Sequence, residues 1–136
     1  MNKYLIFSGM ILILLSVFAA NNLANIPTGA MVYKGECTLI VDDGRNVYEQ
    51  QVQLKNSSAF DVLKSMFEVE YDAGEYGVFI KGIKTENWTR QTTDYFWMYF
   101  VNGKLADVAA DKYAVKPGDT IKFAYMSSAD AMKFFG

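Results

Sequence analysis

Apolar and polar residues alternate along most of the chain after residue 31, with the period of two that is typical of β-strands. Residues 32–41 and 47–54 form the first two such runs, and the stretch between them contains an Asp-Gly pair. Asp-Gly between two alternating runs is a strong signal for a tight β-hairpin. The pattern therefore predicts that the domain begins with a β-hairpin.

Only one stretch near the middle of the chain has a helical period. Apolar residues recur at positions 59/60, 63 and 66/67, one face of an α-helix. Ser58, with Asp61 three residues later, resembles a capping box in which Asp replaces the usual Glu. We predict a short amphipathic helix that lies on a sheet, with Asp61, Lys64 and Ser65 facing away from it.

The second half of the chain predicts further strands and turns. Residues 68–71 and 78–83 read as strands, and residues 84–94 as a polar loop. Asn102-Gly103 is a hairpin signal, but residues 105–114 are too rich in Ala and Asp for a regular strand, so we expect a short helical or irregular crossover there. A Pro-Gly turn at 116–119 leads into a strand at 120–125, and residues 127–135 could form one or two helical turns.

Residues 95–101 form an unusually aromatic strand around which these elements are organised. Side chains alternate between the two faces of a strand, so both faces of this one are apolar: Tyr95, Trp97, Tyr99 and Val101 on one side, and Phe96, Met98 and Phe100 on the other. Either the strand is covered on both sides, or its second face meets a ligand or a partner.

The N-terminus predicts export. Lys3 precedes an apolar run at residues 5–20 that ends in small residues, as in a signal peptide. The run is also close to the length of a short membrane anchor, so residues 1–20 are a cleaved signal or a retained anchor, and only an anchor would bring membrane contact. Residues 21–31 form a polar linker, and residues 32–136 form one secreted or extracytoplasmic domain.

Composition excludes several kinds of chemistry. The chain has no histidine, so it lacks the residues for a histidine-dependent triad or a histidine metal site, and we expect no enzymatic activity and no required cofactor. A net charge of −2 with scattered lysines gives no support for nucleic-acid binding. The single cysteine, Cys37, is either a small core residue or a thiol that pairs between chains.

Four segments of the chain resemble, in sequence and order, the C-terminal β domain of the cobalamin carriers transcobalamin and intrinsic factor. They are residues 75–83, 95–99, 105–113 and 116–121, and the similarity extends over about residues 32–126. The likeness is greatest to prokaryotic secreted domains of unknown role that share the transcobalamin-like pattern. The resemblance implies an α+β fold, a β-grasp-like mixed sheet with one main helix packed on one face.

The resemblance also implies where a ligand would bind. In the vitamin carriers this domain closes over a corrin ring together with a helical barrel, which this chain lacks. The positions that correspond to the ligand-contacting strand and loop are Trp97, Tyr99, Leu105, Ala106, Asp107 and Val108, with Tyr76 and Phe79 as neighbours. The expected ligand is cobalamin, another corrinoid or a different planar small molecule, held with the help of a partner protein, because half a pocket encloses too little of a ligand.

Other readings of the chain remain open at this stage. The same strand could meet a protein or polysaccharide at the cell surface, as an adhesion or structural domain. We interpret Asp107, Asp111 and Asp119 as solvated turn residues, since they lack a histidine or a second cluster of ligands. Asn56 and Asn87 lie in acceptor sequons and would be glycosylated only in an organism that modifies exported proteins.

Overall fold

A computed structural model describes residues 34–135 of the chain, and the predicted signal or anchor at residues 1–20 and the linker at 21–31 lie outside them. Strands dominate this part, with one main helix, in a mixed α/β arrangement of two sheets. The elements are β1 (Lys34–Asp42), β2 (Val47–Lys55), α1 (Ala59–Met66), β3 (Glu68–Gly74), β4 (Gly77–Lys84), β5 (Trp88–Arg90), β6 (Tyr95–Val101), β7 (Lys104–Leu105), a 3₁₀ helix (Ala110–Lys112), β8 (Thr120–Ser127) and α2 (Ser128–Met132).

The larger sheet has five strands in the order β2-β1-β8-β6-β7. β1 and β8 are parallel, with Leu39 opposite Ile121, and the other pairs are antiparallel. Along each strand, alternate side chains point to one face, as they must in a pleated sheet. In β1 this inner face carries Cys37, Leu39 and Val41, all of which are buried. The aromatic strand β6 pairs with β8 over its whole length.

Helix α1 buries its apolar face in the same core as this inner face. Val62 and Leu63 are almost fully buried, while Asp61, Lys64 and Ser65 are exposed, as the helical period predicts. The capping box is confirmed: the Asp61 amide donates to Ser58 Oγ and the Ser58 amide donates to Asp61 Oδ2, each over 3.0 Å. Burying a side chain such as Leu63 stabilises the fold by about 1.5–3 kcal/mol.

The second sheet has three antiparallel strands in the order β3-β4-β5, with a bulge between Glu70 and Tyr71. The prediction of a loop throughout residues 84–94 is wrong in part, because β5 lies within it. Two donors from the larger sheet hold this strand in place: Trp97 Nε1–H and the Tyr125 hydroxyl donate to the carbonyls of Thr89 and Arg90, each over 2.9 Å. Such long-range bonds leave no local pattern in a three-residue strand.

The loops bring one acidic residue into the interior. Asp119 is 7% exposed and accepts hydrogen bonds from Asn102 Nδ2, the Tyr113 hydroxyl and the Lys116 amide, so the interpretation of it as a solvated turn residue is wrong. Burial raises the pKa of Asp119, but the hydrogen bonds from these three groups outweigh it and hold that pKa below its usual value. This carboxylate joins the β6–β7 turn to the turn before β8.

Cys37 lies in the core, 1% exposed, and burial raises the pKa of its thiol to about 12, with the Asp119 carboxylate adding to the effect. The thiol is therefore protonated at neutral pH, and a disulfide to a second chain would require the sheet to open.

Within residues 34–135, no helix has the length and apolar character needed to cross a membrane.

Candidate functional site

Both faces of β6 are covered for part of its length. On the inner face, Trp97 is 7% exposed, and its ring centroid lies 5.3 Å from that of Tyr125. On the outer face, Phe100 is buried beneath the C-terminal segment and packs edge-on against Phe134, with 5.0 Å between ring centroids. The apolar character of both faces, visible in the sequence, is thus mostly explained by packing.

One edge of β6 is open. β8 follows the whole of one side, but β7 pairs only with Phe100 and Val101 on the other. A cavity of about 210 Å³ lies along this open edge. Trp97 and Tyr99 belong to the inner face and Met98 to the outer face, so the cavity crosses the strand edge. Its lining consists of Val78, Phe79, Ile80, Trp97, Met98, Tyr99, Leu105, Ala106, Ala109, Ala110, Phe123 and Phe135.

No charged side chain lines this cavity, and its polar side-chain groups are already engaged. The Trp97 indole N–H donates to Thr89, and the Tyr99 hydroxyl donates to the carbonyl of Val108. Burial, and then the nearby carboxylates of Asp107 and Asp111, raise the pKa of Tyr99 to about 12. Tyr99 is therefore neutral at physiological pH, and the cavity offers apolar rings rather than titratable groups.

The wall formed by β4 and the residues after β7 is held together at Gly77. The Val78 amide donates to Asp111 Oδ1 over 3.0 Å, so Asp111 has a structural partner rather than only solvent. Gly77 has φ +117°, and a Cβ there would lie 2.5 Å from the Cβ of Ala109. A glycine is required by both the backbone conformation and the close approach. This junction sets the width of the cavity between β4 and the Ala-rich segment.

Five of the eight residues that the resemblance indicated line the cavity: Phe79, Trp97, Tyr99, Leu105 and Ala106. The other three, Tyr76, Asp107 and Val108, are exposed and lie outside its lining. Tyr76, at the β3–β4 turn, is 86% exposed.

The sequence reasoning missed several lining residues. Val78 and Ile80 flank Phe79 in β4 and could have been included on that ground alone. Phe135 comes from the C-terminal segment, and no pattern in the sequence connects it with β6.

Two of the larger depressions have a different character. One of about 530 Å³ lies against charged residues of the three-stranded sheet, where Arg90 is bonded to Glu70 and Lys81 to Asp72. Another, of about 450 Å³, lies between Tyr48, the end of α1 and the end of β4. In the first, the charges already pair with one another, so neither sign is left in excess to select a ligand.

The remaining candidate sites are quickly placed. Asn56 and Asn87, the two predicted glycosylation positions, are both exposed, and Asn56 has a positive φ of 57°. Among residues 34–135, no group of three or more cysteine, aspartate or glutamate side chains is arranged so that it could hold a metal ion.

Comparisons with known proteins place the chain in a family but give it no activity. Residues 56–127 match the model of a domain of unknown function, DUF4430. No curated protein matches the chain at a significant level.

Two of the solved structures that are similar to this chain illustrate the shared fold. A proposed metal-binding protein from Ruminococcus gnavus ATCC 29149 has a TM-score of 0.59 at 21% identity, over 70% of this chain and 99% of that one. Haptocorrin in complex with Cbi has a TM-score of 0.58 at 14% identity, over 77% of this chain. The match covers only 28% of haptocorrin. At these identities the likeness concerns the fold alone.

Proposed function

The chain belongs to the family of domains of unknown function DUF4430, and we propose that it is an exported, non-enzymatic binding module for a corrinoid or another planar small molecule. The cavity along the β6 edge carries this proposal, because Phe79, Trp97 and Tyr99 line it and no charged side chain does. Apolar, aromatic-lined concavities are the usual form of small-molecule sites. Export rests on the apolar run at residues 5–20.

The fold likeness to haptocorrin makes a corrinoid the first ligand to test. We also propose a β-grasp classification, supported by the strand order β2-β1-β8-β6-β7 with α1 following the first hairpin.

The small volume of the cavity supports our proposal that a second protein completes the site. About 210 Å³ is less than the roughly 300–1,000 Å³ of typical ligand pockets, and a corrin ring could enter only in part. We propose that the domain supplies one wall and that a partner encloses the rest of the ligand. Half-enclosure implies weak binding by the isolated chain.

Tryptophan fluorescence provides the test, with calorimetry as a second measurement. The chain has two tryptophans, so Trp88→Phe leaves Trp97, at the cavity, as the only reporter. We expect cobalamin or cobinamide to quench this fluorescence and to release or absorb heat at high micromolar concentration. If neither ligand produces quenching or heat, binding by the isolated chain is contradicted.

A pair of variants separates the cavity from the rest of the surface. Phe79 lines the cavity and is 50% exposed, whereas Tyr71, 44% exposed in the same hairpin, does not line it. We expect Phe79→Ala to weaken binding about tenfold, equivalent to about 1.4 kcal/mol, and Tyr71→Ala to leave it unchanged. Equal effects would place the ligand elsewhere.

A cell-surface interaction domain is the second candidate function, and the open edge of β6 favours it. Edges of this kind are templates for pairing with other chains. Nothing in the lining of the cavity selects a polysaccharide, so we regard a protein partner as the stronger form of this candidate.

A further inference from the structure

The open edge of β6 presents main-chain groups in a defined order. The carbonyl of Tyr95 accepts from the Thr92 amide over 2.9 Å, and that of Tyr99 accepts from the Ala106 amide over 3.1 Å. Both partners lie on the side away from β8. In a strand, the N–H and C=O of one residue point to the same side and alternate with those of the next. The N–H and C=O of Trp97, between these two residues, therefore also point to the open side.

The open stretch is short and its ends are closed. At one end, the Tyr95 amide donates to Thr92 Oγ1 over 3.0 Å. At the other end, the Tyr99 carbonyl already accepts a hydrogen bond from the Ala106 amide. Between them remain the N–H and C=O of Trp97 and the N–H of Tyr99, for which the described part of the chain provides no hydrogen-bond partner. These groups lie along the cavity, where the surrounding side chains are apolar.

We propose that an extended, uncharged peptide segment of another protein adds to β6 here by β-strand augmentation. A strand satisfies the N–H and C=O of one residue together, which is what Trp97 presents. The window between the two closed ends accepts about three peptide residues, or about 10 Å of extended chain. The open stretch therefore limits how many residues of the added peptide can pair with β6.

The side chains around the edge indicate the composition of that segment. Side chains of an added strand alternate between the two faces of the sheet. The cavity walls that they would meet are formed in part by Phe79, Met98, Ala109 and Phe135, all of them apolar. A charged side chain would lose its hydration against these walls without gaining an opposite charge. The inference rests on backbone geometry and does not depend on the binding of a small molecule.

Amide hydrogen exchange of the full-length chain, followed residue by residue by NMR, tests the proposal. A random heptapeptide library is first selected for binding to the immobilised chain. The enriched peptides are then synthesised and used as the probes. We expect the Trp97 and Tyr99 amides to exchange rapidly in the free protein and at least tenfold more slowly at peptide saturation. The amides of Phe96 and Met98, which face β8, serve as internal controls whose exchange is slow throughout.

Two further controls make the result decisive. A peptide N-methylated at its central residues keeps its side chains but loses main-chain donors, and it should bind at least tenfold more weakly. Phe79→Lys places a charge in the wall and should abolish selection, whereas Tyr71→Lys, outside the cavity, should not.

Four outcomes would overturn the proposal. The first is that no peptide is enriched on the wild-type chain relative to the Phe79→Lys variant, and the second is that the peptide protects amides other than those of Trp97 and Tyr99. The third is that protection of these amides rises with protein concentration alone, as binding of a second copy would cause. The fourth is that both amides already exchange slowly before peptide is added. Quenching of Trp97 by a corrinoid without such peptide protection would support the small-molecule proposal and reject this one.

Discussion

The two sheets of the domain differ in how many apolar side chains they bury. The five-stranded sheet has an inner face of fully buried side chains, among them Leu39, Ile121 and Phe123, covered by the core that it shares with α1. The three-stranded sheet contributes few buried residues, chiefly Ile80 and Ile83. The larger sheet therefore supplies most of the apolar burial that stabilises the fold.

Polar bonds at its borders also hold the smaller sheet in place. Trp97 and Tyr125 donate to β5, and Asp111 accepts from β4. Across the strands, exposed ion pairs join Glu68 to Lys84, Glu70 to Arg90 and Asp72 to Lys81. Regions with few buried apolar contacts open at lower free energy than the core. We therefore expect the β4 wall of the cavity to open at lower free energy than the β6 wall.

The largest expected effect comes from truncating the core of the five-stranded sheet. Leu39 is 0% exposed in the parallel centre of the sheet, and Leu39→Ala should lower the free energy of unfolding by about 3 kcal/mol through lost burial and a residual cavity. Chemical denaturation measures it. A loss below about 1 kcal/mol would mean that the larger sheet is not the main source of stability.

Removing the buried carboxylate should have the next largest effect. Asp119→Ala leaves the donors of Asn102, Tyr113 and Lys116 without their shared acceptor, and we expect a loss of about 2–3 kcal/mol in the free energy of unfolding. Thermal and urea unfolding at pH 7 measure this loss.

The same carboxylate predicts a pH dependence of stability. The pKa of Asp119 is lower in the folded protein than its usual value, so its contribution is complete above about pH 4 and is lost as the pH falls through the folded-state pKa. The difference in stability between wild type and Asp119→Asn should therefore shrink as the pH is lowered below about 4. If the stability difference between the two proteins does not change with pH, the lowered pKa of Asp119 is contradicted.

A smaller, local effect is expected where the two sheets meet. Tyr125→Phe removes only the hydroxyl that donates to the Arg90 carbonyl and should cost about 1 kcal/mol. Amide exchange should accelerate mainly in β5 rather than in β1. Tyr95→Phe is the matched control, because it alters the exposed ring stacked 5.3 Å from Tyr125 without touching this bond. Equal acceleration by both variants would show that the hydroxyl does not hold β5.

The smallest effect should come from the exposed face of the three-stranded sheet. The hydrogen bond from Arg90 is the main cause that holds the pKa of Glu70 below its usual value, but both side chains are exposed. Exposed ion pairs are screened by water and salt. We expect Glu70→Gln to leave the unfolding midpoint unchanged within error at low and high salt, and a clear decrease would show that this face contributes to stability.

The sequence predicted the elements whose signals are local. The Asp-Gly hairpin, the capped helix at Ser58 and the aromatic strand follow from turn chemistry, helical spacing and alternation, and each is present. It failed at β5 and at the interior position of Asp119, because both depend on hydrogen bonds from residues distant in the chain. For the candidate site, the family resemblance indicated eight residues, of which five line the cavity and three, Tyr76, Asp107 and Val108, lie outside its lining.

By itself, the sequence determined that residues 95–101 form an aromatic strand and that the chain has no histidine for catalysis or metal binding. Only the tertiary structure decided which groups of that strand are available. The Trp97 ring is used in packing and its indole N–H in a bond to Thr89, while its main-chain groups face an open edge. The physical reason is that a side-chain pattern specifies which face is apolar, whereas strand pairing, set by distant residues, decides which edge remains unpaired.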